Sequence, residues 1–334
     1  MSAPKKIMND PRNVVPELLE GLAEAYGGRI KMLEGVHALV KTTLSPGKVG
    51  LLVGDGSGHE PLFHGLIGAN MADGAACGNI FAAPGPDVIY AATRYLDQGA
   101  GVLYAYGNYA GDVLNFDMGA EMAADEGIRV RTVHIWDDIS SAPSERLNRR
   151  RGIAGDLFVV TIAGASSAVF GDLDEVYDIT SRARDNTRSL SVALSAGSIP
   201  ETGKPTFVLP DDEIEIGMGA HGEPGVHRGK LMAADPLVDM MLERVLADLP
   251  FAGGDEVCVL VNGCGATTQM ELLIVNRRLQ ARLREAAIRV HDTVIGNFLT
   301  TQEMAGFSIT LMKLDPELAR YYDMPADSFA FRKL

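Results

Sequence analysis

A histidine enclosed by glycines, in Gly217-Met218-Gly219-Ala220-His221-Gly222-Glu223-Pro224-Gly225, is the side chain of this sequence best placed to meet a small ligand. Glycines let the backbone bend sharply and leave the ring unobstructed. An imidazole is available near neutral pH as base, nucleophile or hydrogen-bond partner. The spacing Gly217-x-Gly219-x-x-Gly222 also satisfies the dinucleotide fingerprint, but that turn should open directly into a helix. Glu223-Pro224-Gly225 and the polar Arg228-Gly229-Lys230 follow instead, so a loop is expected. Two further polar side chains have similar settings: His59 in Gly54-Asp55-Gly56-Ser57-Gly58-His59-Glu60-Pro61, and Asp112 after Gly107-Asn108-Tyr109-Ala110-Gly111. By residue type alone, His221 fits a buried, merely hydrogen-bonded histidine as well as a reactive one, and Asp112 fits a turn cap.

These loops need elements to hold them. Asn9-Asp10-Pro11 starts a helix, with Val14, Leu18, Leu19, Leu22 and Ala25 at helical spacing up to Gly27-Gly28. Lys48 to Val53 reads as a buried strand running into the glycine turn of His59, with a helix expected from Leu62 to Met71. Val102 to Tyr106 is a second strand, closed by Gly107 to Asp112 and followed by a helix through Phe116, Met122 and Ala123, and Arg129 to Trp136 is a third. A helix with Leu173, Val176, Ile179 and Ala183 ends the first half. Beyond it, Ser191 to Ser195, Phe207 to Leu209, Glu213 to Ile216, Glu256 to Val261 and Phe307 to Met312 are strand candidates, with helices over Pro236 to Leu246 and Leu272 to Ala287. Strands alternating with helices imply α/β architecture, in which ligands sit at the carboxyl ends of strands.

Composition narrows the function class. A chain of 334 residues exceeds one average domain. Its 30 basic and 44 acidic residues, net −14, argue against nucleic acid, which demands a basic face. No apolar run reaches the ~20 residues of a membrane span, and Met1-Ser2-Ala3-Pro4-Lys5-Lys6 lacks the apolar core of a signal peptide. A cytoplasmic protein without membrane contact is expected. Cys77, Cys258 and Cys264 form no Cys-x-x-Cys pair, and His37, His64, His134, His227 and His291 show no metal-ligand spacing, so no metal site is expected. His227 is expected at the rim of the His221 loop at most.

Taken together, five motifs resemble one family. Gly56-Ser57-Gly58-His59-Glu60-Pro61, Asn108-Tyr109-x-Gly111-Asp112-x-Leu114-Asn115-Phe116, Gly219-x-His221-Gly222-Glu223-Pro224-Gly225, Asn262-x-x-Gly265-Ala266-Thr267 and Gly306-Phe307-Ser308-Ile309-Thr310-Leu311 stand in the order and approximate spacing of the substrate-binding K subunits of dihydroxyacetone kinases. The resemblance spans about Ile7 to Asp315 and implies two α/β domains, each built on a mixed β-sheet with flanking helices, here 1–186 and 187–334, assembled as a homodimer. It implies that His221 attacks a short ketose as nucleophile and holds it as a covalent hemiaminal. Asp112 would accept the proton of the hydroxyl that attacks phosphorus, and His59 would hydrogen-bond the substrate. Gly56, Ser57, Gly58 and Gly107 would line the ketose.

The sequence departs from the family pattern at Gly54-Asp55-Gly56, where three glycines are usual, and at Gly107, where a substrate-contacting lysine is usual. A larger ketose, erythrulose above all, is the alternative substrate. No phosphate loop or kinase signature set is present. The resemblance therefore implies a separate L subunit carrying ATP, or ADP recharged by a phosphotransferase-system protein, with magnesium. A non-catalytic ketose-sensing coactivator is the rival reading, disfavoured by the presence of both His59 and Asp112.

Overall fold

The computed structural model describes residues 5–334. The expectation about the start of the chain rests mainly on Met1 to Pro4, which lie outside them. After helix α1 (Val14–Ala25) come strands β1 (Ile30–Met32), β2 (Ala38–Lys41), β3 (Gly50–Ser57), β4 (Gly68–Ala69) and β5 (Gly74–Ile80). The chain then alternates through α2 (Pro86–Leu96), β6 (Val102–Gly107), α3 (Ala110–Asp125) and β7 (Val130–Ile135), followed by α4 (Asp156–Val169) and α5 (Leu173–Asp185). The second half runs β8 (Thr187–Ser195), β9 (Glu213–Ile216), β10 (His227–Lys230), α6 (Ala234–Asp248), β11 (Glu256–Gly263), α7 (Gln269–Glu285), β12 (Arg289–Gly296) and β13 (Ala305–Leu314). The tail adds α8 (Pro316–Tyr322), β14 (Ala326–Ser328) and β15 (Arg332–Lys333).

Both large sheets are mixed, as expected. The first has the order β1-β2-β5-β3-β6-β7, with β5, β3, β6 and β7 parallel and β1 and β2 antiparallel. The second, β10-β9-β8-β13-β11-β12, is antiparallel except for its β11/β12 edge. Side chains alternate across a strand, and this sets the layers. Leu52, Val102, Tyr104 and Tyr106 pack with Ile89, Leu96 and Phe116 of α2 and α3. Leu51, Val53, Leu103 and Ala105 instead join a core that holds α4, α5 and α8 and reaches Cys258, Leu260 and Met312 of the second sheet. On that sheet's far face Val257, Val259 and Val261 meet α6 and α7. The middle helices thus lie between the two sheets, and the tail packs back on the first half, with β14 pairing to β4.

Three local expectations give way. The glycine run Gly54 to Ser57 is not a turn but the end of β3, paired with β5 as far as Ser57. A Cβ on Gly56 would lie 2.5 Å from the Ala82 nitrogen, so glycine here serves close packing of backbone on backbone. Leu62 to Met71 forms no long helix, only a 3-10 turn at His64–Leu66 and the short β4. Its apolar side chains are buried by turns stitched to the tail, where Gly65 O accepts from Ala330 N at 2.9 Å. Phe207 to Leu209 is irregular, and Arg228-Gly229-Lys230 belongs to β10, paired with β9. Residues 217–225 are therefore the connection of a hairpin, with no helix after them.

Candidate active site

The carboxyl ends of parallel strands β3 and β6 deliver the first half of the site. Beyond β3, His59 is 1% exposed, and its Nδ1 lies 2.7 Å from Thr300 O. A carbonyl oxygen only accepts, so Nδ1 carries the proton and Nε2 presents a lone pair. Beyond β6, the chain turns at Asn108 and Tyr109 into α3, whose first turn places Asp112, buried at 3% exposure, under the site.

The second half comes from the hairpin loop between β9 and β10. Side chains of other elements pin its backbone: Ser140 Oγ donates to Gly217 O at 2.9 Å, Ser191 Oγ to Met218 O at 2.6 Å and Thr301 Oγ1 to Ala220 O at 2.5 Å. Gly222, at φ +88°, takes a left-handed conformation that a larger residue would adopt only under strain. Glu223 then folds back, its Oε2 accepting from the His221 backbone nitrogen at 2.9 Å and its Oε1 from His221 Nδ1 at 3.1 Å.

The sequence-predicted histidines meet: His221 Nε2 lies 3.0 Å from His59 Nε2. The rings of Tyr109 and Phe81 stand edge-on to His221 at 4.8 and 5.8 Å between centroids. The Glu223 carboxylate and the His59 lone pair both face His221 and favour its protonated form. Burial alone would lower its pKa, but Glu223 and Asp55 outweigh burial and raise it. Burial works against the Glu223 charge too, yet His221 and Arg151 hold that carboxyl at about 2. His59, buried beside a cation, is pushed down to about 4 and stays neutral.

Asp112 is surrounded by its own kind. Burial first, then the neighbouring Asp55 carboxyl, push it up to about 9, and its Oδ1 has no hydrogen-bond partner. Asp55 itself is raised by burial, against the pull of His221. Gly56, Ser57 and Gly58 adjoin this cluster, but their polar groups are already engaged. Gly56 N donates to Asp55 Oδ1 at 2.5 Å, Ser57 Oγ to Gly78 O at 2.8 Å and Gly58 N to Glu60 Oε1 at 2.7 Å. Gly107 leaves little of the room expected of it: a Cβ there would lie 3.3 Å from Asp156 Oδ2 and from the Tyr109 ring. His227 is exposed on β10, outside this cluster.

Glu223, Tyr109, Asp55 and Asp156 were missed as members of the site by sequence reasoning. Glu223 had a signal, two residues from His221 in a turn; Asp156, far along the chain and opening an apolar helix, had none. A surface cleft of about 430 Å³ between Tyr26, Lys41 and Asp327 lies away from these residues. His59 and Asp112 are buried and His221 partly so.

A family model, the Dak1 domain, matches residues 20–330. The dihydroxyacetone-binding subunit of a PTS-dependent dihydroxyacetone kinase from Listeria innocua is 43% identical over 98% of this chain and 99% of its own. An L-erythrulose kinase of Pectobacterium atrosepticum is 39% identical, and this chain spans 56% of it. Among solved structures, the dihydroxyacetone kinase from C. freundii in complex with AMP-PNP and Mg2+ superimposes with a TM-score of 0.90 at 30% identity, over 99% of this chain and 61% of that one. A dihydroxyacetone kinase operon co-activator superimposes equally well, TM-score 0.90 at 30% identity, over 96% and 99% of the two chains.

Proposed function

Because the chain belongs to the Dak1 family, we propose that it is the ketose-binding subunit of a dihydroxyacetone kinase-type phosphotransferase and that His221 Nε2 is the atom that captures the ketose. The observation that carries the capture is the pair of fixed tautomers. With the Nδ1 proton of His221 on Glu223, loss of the other proton bares the Nε2 lone pair; the Nε2 lone pair of His59, 3.0 Å away, is positioned to take that proton. Nε2 then bonds to the carbonyl carbon, the C=O π pair moves to oxygen, and His59, which holds a proton poorly, returns it to that oxygen. The ring ends as an alkylated cation beside the Glu223 carboxylate and His59 ends neutral, so charge balances throughout. Glycerol offers no carbonyl and is not held.

Asp112 accepts the proton of a terminal hydroxyl as that oxygen attacks phosphorus. In the empty site its carboxyl is protonated; hydroxyl donors from the bound ketose favour the ionised form, so the base is made ready by its own substrate. Positioning and charge neutralisation supply most of the acceleration in such transfers, and they belong to the donor. We assign that donor, ATP or ADP with magnesium, to a partner L subunit, a reading supported by the name of the Listeria innocua relative, a dihydroxyacetone-binding subunit of a PTS-dependent kinase; recharging by a phosphotransferase-system protein, assembly as a homodimer and residence in the cytoplasm belong to the same reading. The two units, 1–186 and 187–334, with the tail folded back on the first, would meet at the ketose. Among the described residues no helix is long and apolar enough to cross a membrane.

The operon co-activator's likeness keeps a sensor reading alive, because the fold is common to both. A sensor needs the trap but not Asp112. Native mass spectra with dihydroxyacetone, each erythrulose enantiomer and glycerol, for wild type and His221→Ala, test capture, and a transfer assay with the donor subunit tests catalysis. Retention of ketoses by wild type alone is expected; equal retention by the variant would overturn the trap, and capture without transfer would favour the sensor.

A further inference from the structure

Five aspartates, Asp55 among them, are buried around the floor of this site, and one of them has no structural use. Asp137 and Asp138, both 0% exposed, are fully bonded: Asp137 accepts from Ile153 N and Gly155 N at 2.8 and 2.9 Å, and Asp138 from Ser140 N and Arg151 Nε at 3.0 and 3.1 Å. Asp112 keeps Oδ1 unpartnered and is the base of the proposed reaction. Asp156, 1% exposed at the start of α4, leaves both oxygens without a partner. Oδ2 lies 3.3 Å from where a Cβ of Gly107 would stand, and Oδ1 3.0 Å from that of Gly152, whose carbonyl receives the Tyr109 hydroxyl at 2.9 Å. The side chain is thus aimed at two glycines beneath the ring that packs on His221.

Leaving a buried carboxyl unbonded is costly, and in a folded chain it calls for a ligand. Among the described residues no three potential ligands converge to hold a metal ion. The facing groups, Gly107, Gly152 and the Asp55, Asp112 and Asp137 carboxyls, supply no cation, and none of them hydrogen-bonds to either Asp156 oxygen. The missing partner is a donor that arrives with the substrate.

Building on the reading of His221 as carbonyl trap, we propose that Asp156 is a specificity-determining contact that binds the ketose hydroxyl on the side of the carbonyl opposite Asp112. The two orphaned carboxyls then divide one substrate. Asp112 takes the hydroxyl that is phosphorylated, and Asp156 reads the other end. The site selects uncharged ketoses with hydroxyls on both sides of the carbonyl, and its acidic wall turns away ketones with a carboxylate or phosphate there. Burial and then the Asp137, Asp55 and Asp112 carboxyls push the Asp156 carboxyl well above the usual carboxylate range.

The test compares Kd for dihydroxyacetone with that for hydroxyacetone, which lacks one hydroxyl, in wild type, Asp156→Asn and Asp156→Ala. Wild type is expected to prefer dihydroxyacetone by about 10- to 100-fold, the usual weight of a hydrogen bond to a carboxyl. In Asp156→Ala that preference collapses to about 1, through weaker dihydroxyacetone binding with hydroxyacetone little changed, and Asp156→Asn retains part of it. Thermal unfolding without ligand should not fall in Asp156→Asn, since the acid it replaces makes no hydrogen bond in the fold. Equal weakening for both ketones, or a lower unfolding temperature with the preference intact, would assign Asp156 a structural role and overturn the proposal. Failure of wild type to bind either ketone would overturn the His221 trap instead.

Discussion

Asp137 and Asp138 differ from Asp112 and Asp156 in one respect that matters: the first two are bonded at every turn and the second two are not, although all four are buried. The bonded pair stands where β7 gives way to the loop before α4 and tethers that loop. The orphaned pair opens α3 and α4 at the ketose site. On the proposed function, the contrast separates carboxyls that the fold needs from carboxyls that the reaction would use, and each class should fail differently when it is removed.

Asp112→Asn should reduce phosphoryl transfer about 10²- to 10⁴-fold, the usual weight of a general base, with ketose capture retained. Loss of capture together with transfer would erase the division of labour between Asp112 and His221. Asp137→Ala should instead cost about 2–5 kcal/mol of stability in urea unfolding, because two buried backbone N–H groups lose their acceptor. A stable Asp137→Ala variant would mean that the bonded pair is dispensable and the comparison empty.

Asp112 also carries a pH signature. A folded-state pKa of about 9 for Asp112, against 3.8 for an ordinary aspartate, means that the folded protein binds more protons than the unfolded chain across that interval. Stability should therefore fall as pH rises through it. Asp112→Asn should flatten that slope, and an unchanged slope would show that Asp112 is ionised in the empty site. His221 has the same sign. Its raised pKa favours the folded state below the unfolded value near 6.5 and is lost as pH rises through the folded one. Capture, which needs the neutral ring, should rise over the same interval, and Glu223→Gln should move that rise to lower pH. The smallest effect belongs far from the site: Thr268→Ala breaks the capping box with Glu271 at the start of α7 and should cost about 1 kcal/mol without touching capture.

The comparison also marks what the sequence makes legible. His221, His59 and Asp112 announce themselves because glycines flank or precede them, and amphipathic helices such as α1 and α7 carry their own spacing. Asp156 is silent for a physical reason. It opens α4, which is buried on all sides between the sheets from Asp156 to Ser167, so the helix has no polar face to give it a period. Strand β5, made of Gly74, Ala75, Ala76, Cys77, Gly78 and Asn79 before Ile80, has almost no β-branched residues and is set by pairing with β2 and β3 rather than by propensity. Gly54 to Ser57 reads as a turn and is a strand for the same reason. What depends on a distant partner is invisible to a local pattern.

The central claim is that His221 Nε2 bonds to the ketose carbon, and carbon NMR of dihydroxyacetone labelled with carbon-13 at the carbonyl tests it most directly. With wild type the bound label should leave the carbonyl region and appear as a tetrahedral carbon bonded to nitrogen and oxygen, and with His221→Ala that signal should be absent. A bound ketose whose labelled carbon stays in the carbonyl region, or a tetrahedral signal that survives in His221→Ala, would contradict the account.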